Sequence, residues 1–421
     1  MSTPAAKTVV ELRPTAPLLP YGRQLIEDDD IAAVVEVLRS DYLTTGPVVE
    51  QFEQRLAGVV GASETVACAN GTAALYIAAR ALGLGRNHTV IVPAITFLAT
   101  ASAPHLLGAR VVFSDVDPKS GLMRAIDLEE ALSRVPGGTA DAVFPVHYAG
   151  QSCDMASIAQ VARARGLKIV EDAAHALGTA WIGVDGEVVP VGANTHADLT
   201  TFSFHPVKTI AMGEGGAISA NDPELARRLR LARNHGITRD ASAFVHPRDA
   251  FDATGAGNPW YHELHAPGFN FRVSDINCAL GLSQLAKLGR FVERRRSLVA
   301  AYDDLLAPLA PLISPLKRDT RSATAWHLYP VRIDFAGAGL ERSAVMRALT
   351  AKGIGTQVHY IPVHRQPYFR MRYGAADLPG ADNYYAKTLS LPLHAGMSLD
   401  DVARVTETLA CLLFDRRKTP R

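Results

Sequence analysis

The 421 residues carry 43 Lys and Arg against 42 Asp and Glu, and 48% of them are hydrophobic. That balance excludes a disordered or fibrous chain and leaves no charge excess for nucleic acid or an anionic membrane to recognise. Cys68, Cys153, Cys278 and Cys411 are scattered, with neither zinc-site spacing nor the density of a disulfide framework, so they read as buried thiols in a reducing compartment and no metal site is expected. The length suits one large domain plus a smaller one. Residues 1–20 mix Pro, Ala and Thr with Lys7, Glu11 and Arg13 and lack the apolar core of a signal peptide. They are expected to form a flexible arm on a cytoplasmic protein, since no later segment has the apolar length of a membrane span.

After Tyr21 helical patterns alternate with short β-rich runs, which predicts a doubly wound sheet. Residues 28–39 place Ile31, Val34, Val35 and Leu38 on one helical face, and 48–60 read as a second helix. A strand at 65–69, a helix at 72–84, a strand at 89–93 and a helix at 97–107 follow. The runs 110–116, 141–146 and 167–171 are apolar and β-branched, as strands covered on both faces should be. Two more strands, 199–204 and 216–220, flank a turn holding Lys208. Residues 239–267 dissolve into Gly, Pro, His and aromatics, a loop too long to be mere connection. Helices at 273–288 and 291–306 come next, with Arg294-Arg295-Arg296 expected on a helix surface, as is Arg416-Arg417-Lys418 at the end. The run 325–333 and the helix 342–351 open a smaller α+β unit closed by the helix 399–413. The expected division is an arm at 1–20, a large domain at 21–290 and a C-terminal domain at 291–421.

Three segments carry chemistry. The run Thr201-Phe-Ser-Phe-His-Pro-Val-Lys208 leaves a strand and delivers a lysine into a turn closed by Gly213-Glu-Gly-Gly216. Open α/β sheets bind ligands at such strand ends, although a lysine there can equally be a solvated loop residue. The strand at 168–171 ends in Asp172, an acid that can face a pyridinium nitrogen or simply cap the next helix. His175, one turn on, can contact a phenolic oxygen or pack. At Asn70-Gly71-Thr72-Ala73 a strand turns through glycine into a helix whose first N–H groups, with the Thr72 hydroxyl, suit an anion. Ser203 can add a second hydroxyl. Phe97 opens a helix where its ring can stack on a cofactor face or join the core. A lysine amine, an acid for a ring nitrogen and a phosphate cradle are what pyridoxal 5'-phosphate requires.

The segments Leu43-Thr44-Thr45-Gly46-Pro47, Asn70-Gly71-Thr72-Ala73, Glu171-Asp172-Ala173-Ala174-His175, Ser203-Phe204-His205-Pro206-Val207-Lys208, Gly213-Glu214-Gly215-Gly216 and Gly268-Phe269-Asn270-Phe271-Arg272, in this order, resemble the DegT/DnrJ/EryC1/StrS sugar aminotransferases. The resemblance runs from Tyr21 nearly to the end. It implies a fold-type I pyridoxal-phosphate transferase: an α/β protein with a large doubly wound mixed sheet and a smaller C-terminal α+β domain. By the same resemblance Lys208 is the Schiff-base and proton-carrying lysine and Asp172 the pyridinium partner. Thr72 and Ser203, with Gly71, hold the phosphate, and Phe97 and His175 contact the cofactor ring. Asn270, or alternatively Arg272, reaches the phosphate of the neighbouring subunit, which implies a homodimer with shared sites. Thr44, His205, His359 and Tyr360 are placed near a nucleotide-linked keto sugar, with L-glutamate as amino donor.

Less general stretches resemble the branch of the family that serves pseudaminic acid biosynthesis. These are Pro93-Ala-Ile-Thr-Phe-Leu-Ala-Thr-Ala101, His235-Gly-Ile-Thr-Arg-Asp240, Trp260-Tyr261, Ala325-Trp-His-Leu-Tyr329 and Gln357-Val-His-Tyr-Ile-Pro-Val-His364. That branch aminates C4 of a UDP-linked 4-keto-6-deoxy N-acetylhexosamine, giving UDP-4-amino-4,6-dideoxy-N-acetyl-β-L-altrosamine. Two departures are expected near the substrate entrance: Ala211-Met212 in place of small polar residues, and a long stretch at 241–258. Lys208 argues against the related dehydratases, which carry histidine there, and its presence with Asp172 argues against a non-catalytic relative.

Overall fold

The computed structural model describes residues 17–183 and 185–414. Residues 1–16 of the expected arm and the Arg416-Arg417-Lys418 cluster lie outside them. Seven strands form the central sheet: β1 (Glu64–Cys68), β2 (Thr89–Pro93), β3 (Arg110–Ser114), β4 (Ala142–Val143), β5 (Lys168–Asp172), β6 (Leu199–Ser203) and β7 (Gly216–Ala220). Their order across the sheet is β1-β7-β6-β5-β4-β2-β3. Only β7 runs antiparallel to its neighbours, pairing Gly216 with Ser203 on one side and with Cys68 on the other. The parallel strands carry apolar runs, TVIVP and RVVFS among them, because helices cover both faces. Their C-terminal ends bring residues 69–71, 94–97, 172–175 and 203–208 to one edge.

Helices α1 (Asp28–Leu38), α2 (Pro47–Val60), α3 (Gly71–Ala81), α4 (Leu98–Leu106), α5 (Ala125–Ser133), α6 (Met155–Ala164) and α7 (Pro223–Arg233) accompany this sheet, followed by α8 (Asp275–Ala286) and α9 (Leu288–Leu306). Beyond them β8 (Ile313–Pro315), β9 (Tyr329–Ile333) and β10 (Thr388–Leu391) make a three-stranded antiparallel sheet in the order given, with α10 (Arg342–Ala351) and α11 (Leu399–Phe414). Leu298, Tyr302, Val331, Leu349 and Leu409 form the core of this C-terminal part. Leu19 belongs to the same core, and its N–H donates to the Gly353 carbonyl, so the described end of the N-terminal stretch is packed. No helix among the described residues is long and apolar enough to cross a membrane.

Several expectations are corrected. The run 141–146 is a strand only at Ala142–Val143; beyond it Pro145 keeps its carbonyl for the Asp172 N–H, and the His147 N–H returns to the Asp172 carbonyl. The run 325–333 becomes strand only at Tyr329, because the N–H groups of His327 and Leu328 turn to the Ala149 carbonyl. Residues 239–267 contain an ordered lobe, where buried Glu263 accepts from the Val245 and His246 N–H groups and the Tyr261 hydroxyl. Arg295 is not on a surface: it is 2% exposed and donates to the carbonyls of His327 and Leu393. Its position on α9 lies on the helix face that buries Phe291, Val292, Leu298 and Val299, and the side chain reaches backbone acceptors there. Cys411 is exposed, unlike the other three thiols.

The turn at Tyr148–Gly150 joins the sheet edge to the C-terminal part. Gly150 has φ +100, and a Cβ added there would meet the Ala325 carbonyl oxygen at 2.2 Å. Gly150→Ala is therefore expected to lower the unfolding free energy by at least about 2 kcal/mol. Urea unfolding of the variant checks this; an unchanged midpoint would show that the close approach imposes no constraint.

Candidate active site

Lys208 sits in a tight reversal after β6. The Phe204 N–H donates to Gly215 O, the Met212 N–H to Phe204 O, and the Lys208 N–H to His205 O at 2.8 Å. Gly213 adopts φ +75, which lets the chain double back into β7. Ala211-Met212 does not line an entrance: both residues are buried, and the Met212 sulfur packs where Gly215 and Gly281 leave room. Burial lowers the pKa of Lys208 to about 8, with the charge of Asp172 working in the opposite direction.

Asp172 ends β5 and is 4% exposed. Among the described residues no cation lies within ion-pair distance of it, so its charge is met by hydrogen bonds. The Ala174 N–H donates to Oδ1 at 3.1 Å, and the Thr100 hydroxyl to Oδ2 at 2.6 Å. Thr100 is in turn 2.7 Å from the Thr96 hydroxyl.

Beside it, α3 starts at Gly71, capped by Asn70, whose side chain accepts from the Ala73 N–H at 2.8 Å. A Cβ on Gly71 would lie 2.8 Å from Ser203 Cβ and 3.1 Å from its hydroxyl, and one on Gly216 would lie 2.4 Å from the Asn70 backbone. Two glycines thus let a helix N-terminus, the exposed Thr72 and Ser203 converge into a cradle that side chains would fill.

An aromatic and histidine wall closes the other side. His175 is buried; its Nδ1 accepts the Ala149 N–H at 3.3 Å, which puts the proton on Nε2, 3.0 Å from the Tyr360 hydroxyl. The His327 ring is 4.5 Å from that of His175. His359 Nδ1 meets the Ser390 hydroxyl at 2.8 Å, while its carbonyl accepts from Tyr148. Burial first, then neighbouring cationic groups including Lys208, push His175 and His327 well below 6.5; burial and Lys208 take His359 to about 3. Phe97 caps α4 and is 55% exposed, with its ring 6.2 Å from that of Tyr360.

Three expected residues stand outside this constellation within one chain. Thr44 and Asn270 are exposed; Thr44 pairs with Ser274, and Asn270 Oδ1 accepts the Arg272 N–H. His205 is exposed, and its tie to Lys208 is through the backbone. Sequence reasoning missed Thr96, Thr100, Tyr148 and His327 as members of the site. The threonines had a signal, two hydroxyls four residues apart where a strand hands over to a helix; His327 had none beyond its motif.

Pyridoxal 5'-phosphate fits these residues on three counts: the glycine-walled cradle for its phosphate, a buried carboxylate without a cation for its ring nitrogen, and a lysine amine of lowered pKa for its carbonyl carbon. The comparisons agree. The model of the DegT/DnrJ/EryC1/StrS aminotransferase family matches residues 24–410. The spore coat polysaccharide biosynthesis protein SpsC of Bacillus subtilis is 39% identical over 398 residues, 93% of this chain and 96% of that protein. Helicobacter pylori PseC, an aminotransferase involved in the biosynthesis of pseudoaminic acid, superimposes with a TM-score of 0.83 at 27% identity, over 94% of this chain and 100% of that one. The PLP form of the sugar aminotransferase Spr1654 of Streptococcus pneumoniae gives 0.82 at 27% identity, over 94% and 99%. With its fold-type I architecture and pyridoxal 5'-phosphate as cofactor, the chain belongs to the DegT/DnrJ/EryC1/StrS aminotransferase family and is a sugar aminotransferase.

Proposed function

We propose that this enzyme moves the amino group of L-glutamate to C4 of a UDP-linked 4-keto-6-deoxy N-acetylhexosamine, giving the 4-amino-altrosamine nucleotide. The observation that carries the aminotransferase chemistry is Lys208, held at a pKa of about 8 opposite the buried carboxylate of Asp172. Bound pyridoxal 5'-phosphate supplies the electron sink and carries the nitrogen between the two substrates. Asp172 keeps a proton on the ring nitrogen, and Gly71, Thr72 and Ser203 hold the phosphate. Phe97 would lie against the cofactor's ring, and His175, whose Nε2 also meets the Tyr360 hydroxyl, would contact an oxygen at its edge. Lys208 Nζ would hold the cofactor at its carbonyl carbon and, as a free amine, would take a proton from the donor's α-carbon and give it up again.

Asn270 is exposed, and its Oδ1 accepts the Arg272 N–H, which suits a phosphate ligand delivered to a second copy in a homodimer. His359 and Tyr360 in the wall, with the exposed Thr44 and His205 outside it, are assigned to the nucleotide sugar. The sugar assignment rests on the stretches at 235–240 and 357–364 and on the likeness to PseC. A second reading, a different nucleotide-linked 4-keto-6-deoxy sugar, is favoured by the 39% identity to SpsC, a spore coat polysaccharide protein.

The acid limb of kcat against pH should rise about tenfold per unit up to about pH 8 and then flatten, because only the neutral amine of Lys208 accepts a proton. Lys208→Ala should fold, lose at least about a thousandfold in rate and lose that limb with it; a variant with full turnover would remove Lys208 from the role. Asn270→Ala and Lys208→Ala, each nearly inactive alone, should regain roughly a quarter of wild-type activity when mixed and re-dimerised, since each mixed dimer assembles one intact site. Absence of any recovery would place Asn270 in its own subunit's site. Offered a panel of UDP-, dTDP- and GDP-linked 4-keto sugars with glutamate, the enzyme should show its highest kcat/KM on the C5-inverted UDP N-acetyl ketose, read as 2-oxoglutarate release and product mass. Preference for a C5-retained UDP sugar or a dTDP sugar would install the second reading.

A further inference from the structure

The Thr96 and Thr100 hydroxyls are buried behind the site, at 1% and 0% exposure, and neither was assigned a role by the chemistry above. Their hydrogen bonds have a forced direction. The Thr100 hydroxyl donates its one proton to Asp172 Oδ2. Thr100 oxygen is then left as an acceptor, so in the 2.7 Å contact Thr96 is the donor. The chain runs one way: Thr96 to Thr100 to Asp172, each bond polarising the next.

Two consequences follow from where this chain is anchored. At Asp172, Thr100 holds Oδ2 while the Ala174 N–H holds Oδ1, and donors on both oxygens leave the carboxylate no freedom to rotate about its bond to Cβ. At the other end Thr96 immediately precedes Phe97, the extended residue that starts α4 without any side-chain cap of its own. The Thr96–Thr100 bond spans the first turn and fixes how the chain enters the helix. The acid assigned to the ring nitrogen and the aromatic assigned to the ring plane are therefore tied to one another through two buried hydroxyls.

We propose that Thr100, backed by Thr96, is a positioning residue that fixes the plane of the Asp172 carboxylate toward the cofactor's ring nitrogen and keeps Phe97 in register with it. The proposal rests on the reading of Asp172 as the ring-nitrogen partner. Its role is geometric: valine at position 100 keeps the shape of threonine and removes only the donor.

The test uses full-length holoenzyme reconstituted with pyridoxal phosphate labelled with 15N in the ring, comparing wild type, Thr100→Val, Thr100→Ser, Thr96→Val and Asp172→Asn. The readouts are the ring-nitrogen chemical shift, cofactor affinity from fluorescence titration of the apoprotein, and the apoprotein's unfolding midpoint. Thr100→Val should weaken cofactor binding about tenfold and move the ring-nitrogen resonance toward that of Asp172→Asn. Thr100→Ser should restore both, and Thr96→Val should shift the resonance the same way by less. If Asp172→Asn moves the resonance and Thr100→Val does not, the proposal fails while Asp172 keeps its role. Weakened binding with an unmoved resonance makes Thr100 merely structural and overturns the proposal as well. If Asp172→Asn leaves the resonance unchanged, the reading of Asp172 fails and the proposal with it. Should Thr100→Val not fold, Thr96→Val decides: a folded variant with a wild-type resonance overturns the proposal.

Discussion

A buried carboxylate without a cation is the constraint around which this site is built. Asp172 lies at the end of a central strand, where taking an ionised group out of water is unfavourable unless hydrogen bonds replace the lost solvation. Among the described residues Thr100 and Ala174 supply two. The charge that remains acts across the cleft on Lys208, opposing the burial that would otherwise depress its amine further. The lysine thus stays usable at neutral to mildly alkaline pH.

The sheet topology makes that opposition possible. Inserting antiparallel β7 between β1 and β6 forces the chain to leave β6 and return within a dozen residues, and Lys208 rides on the reversal. The same insertion presses Gly216 against the Asn70 backbone, closer than any side chain would permit. Residues from 70 to 72, 172 to 175 and 203 to 208 meet at one edge because their strands are neighbours or near neighbours there, not because they are near in sequence.

What could be read from the sequence follows the same division. Lys208, Asp172, Gly71 and Ser203 stand at strand ends next to turn glycines or helix starts, where local pattern and chemistry coincide. Met212 and Arg295 read wrongly because their surroundings are supplied by distant segments: Gly281 makes room for the methionine, and the carbonyls of His327 and Leu393 receive the arginine. The irregular stretch at 239–267 hid an ordered lobe, since its organiser is a single carboxylate, Glu263, and not a periodic apolar pattern. Thr100 was missed for a related reason. Its spacing from Thr96 at a strand-to-helix junction marks a local hydroxyl pair, but not that the pair meets an acid 72 residues away.

The histidines of the far wall complete the electrostatic argument. His175, His327 and His359 are all pushed below their ordinary value by burial, with the positive charge of Lys208 adding to the effect. Neutral imidazoles do not compete with Lys208 for the carboxylate of Asp172 and do not titrate near neutrality. Their hydrogen-bonding roles therefore stay fixed: His175 keeps its acceptor on Nδ1 for the Ala149 N–H and its donor on Nε2. Lys208, across the cleft from them, has an amine whose pKa of about 8 lies close to physiological pH. Imidazoles held neutral by burial leave the proton on that amine with few rivals nearby, the arrangement that proton transfer by a lysine needs.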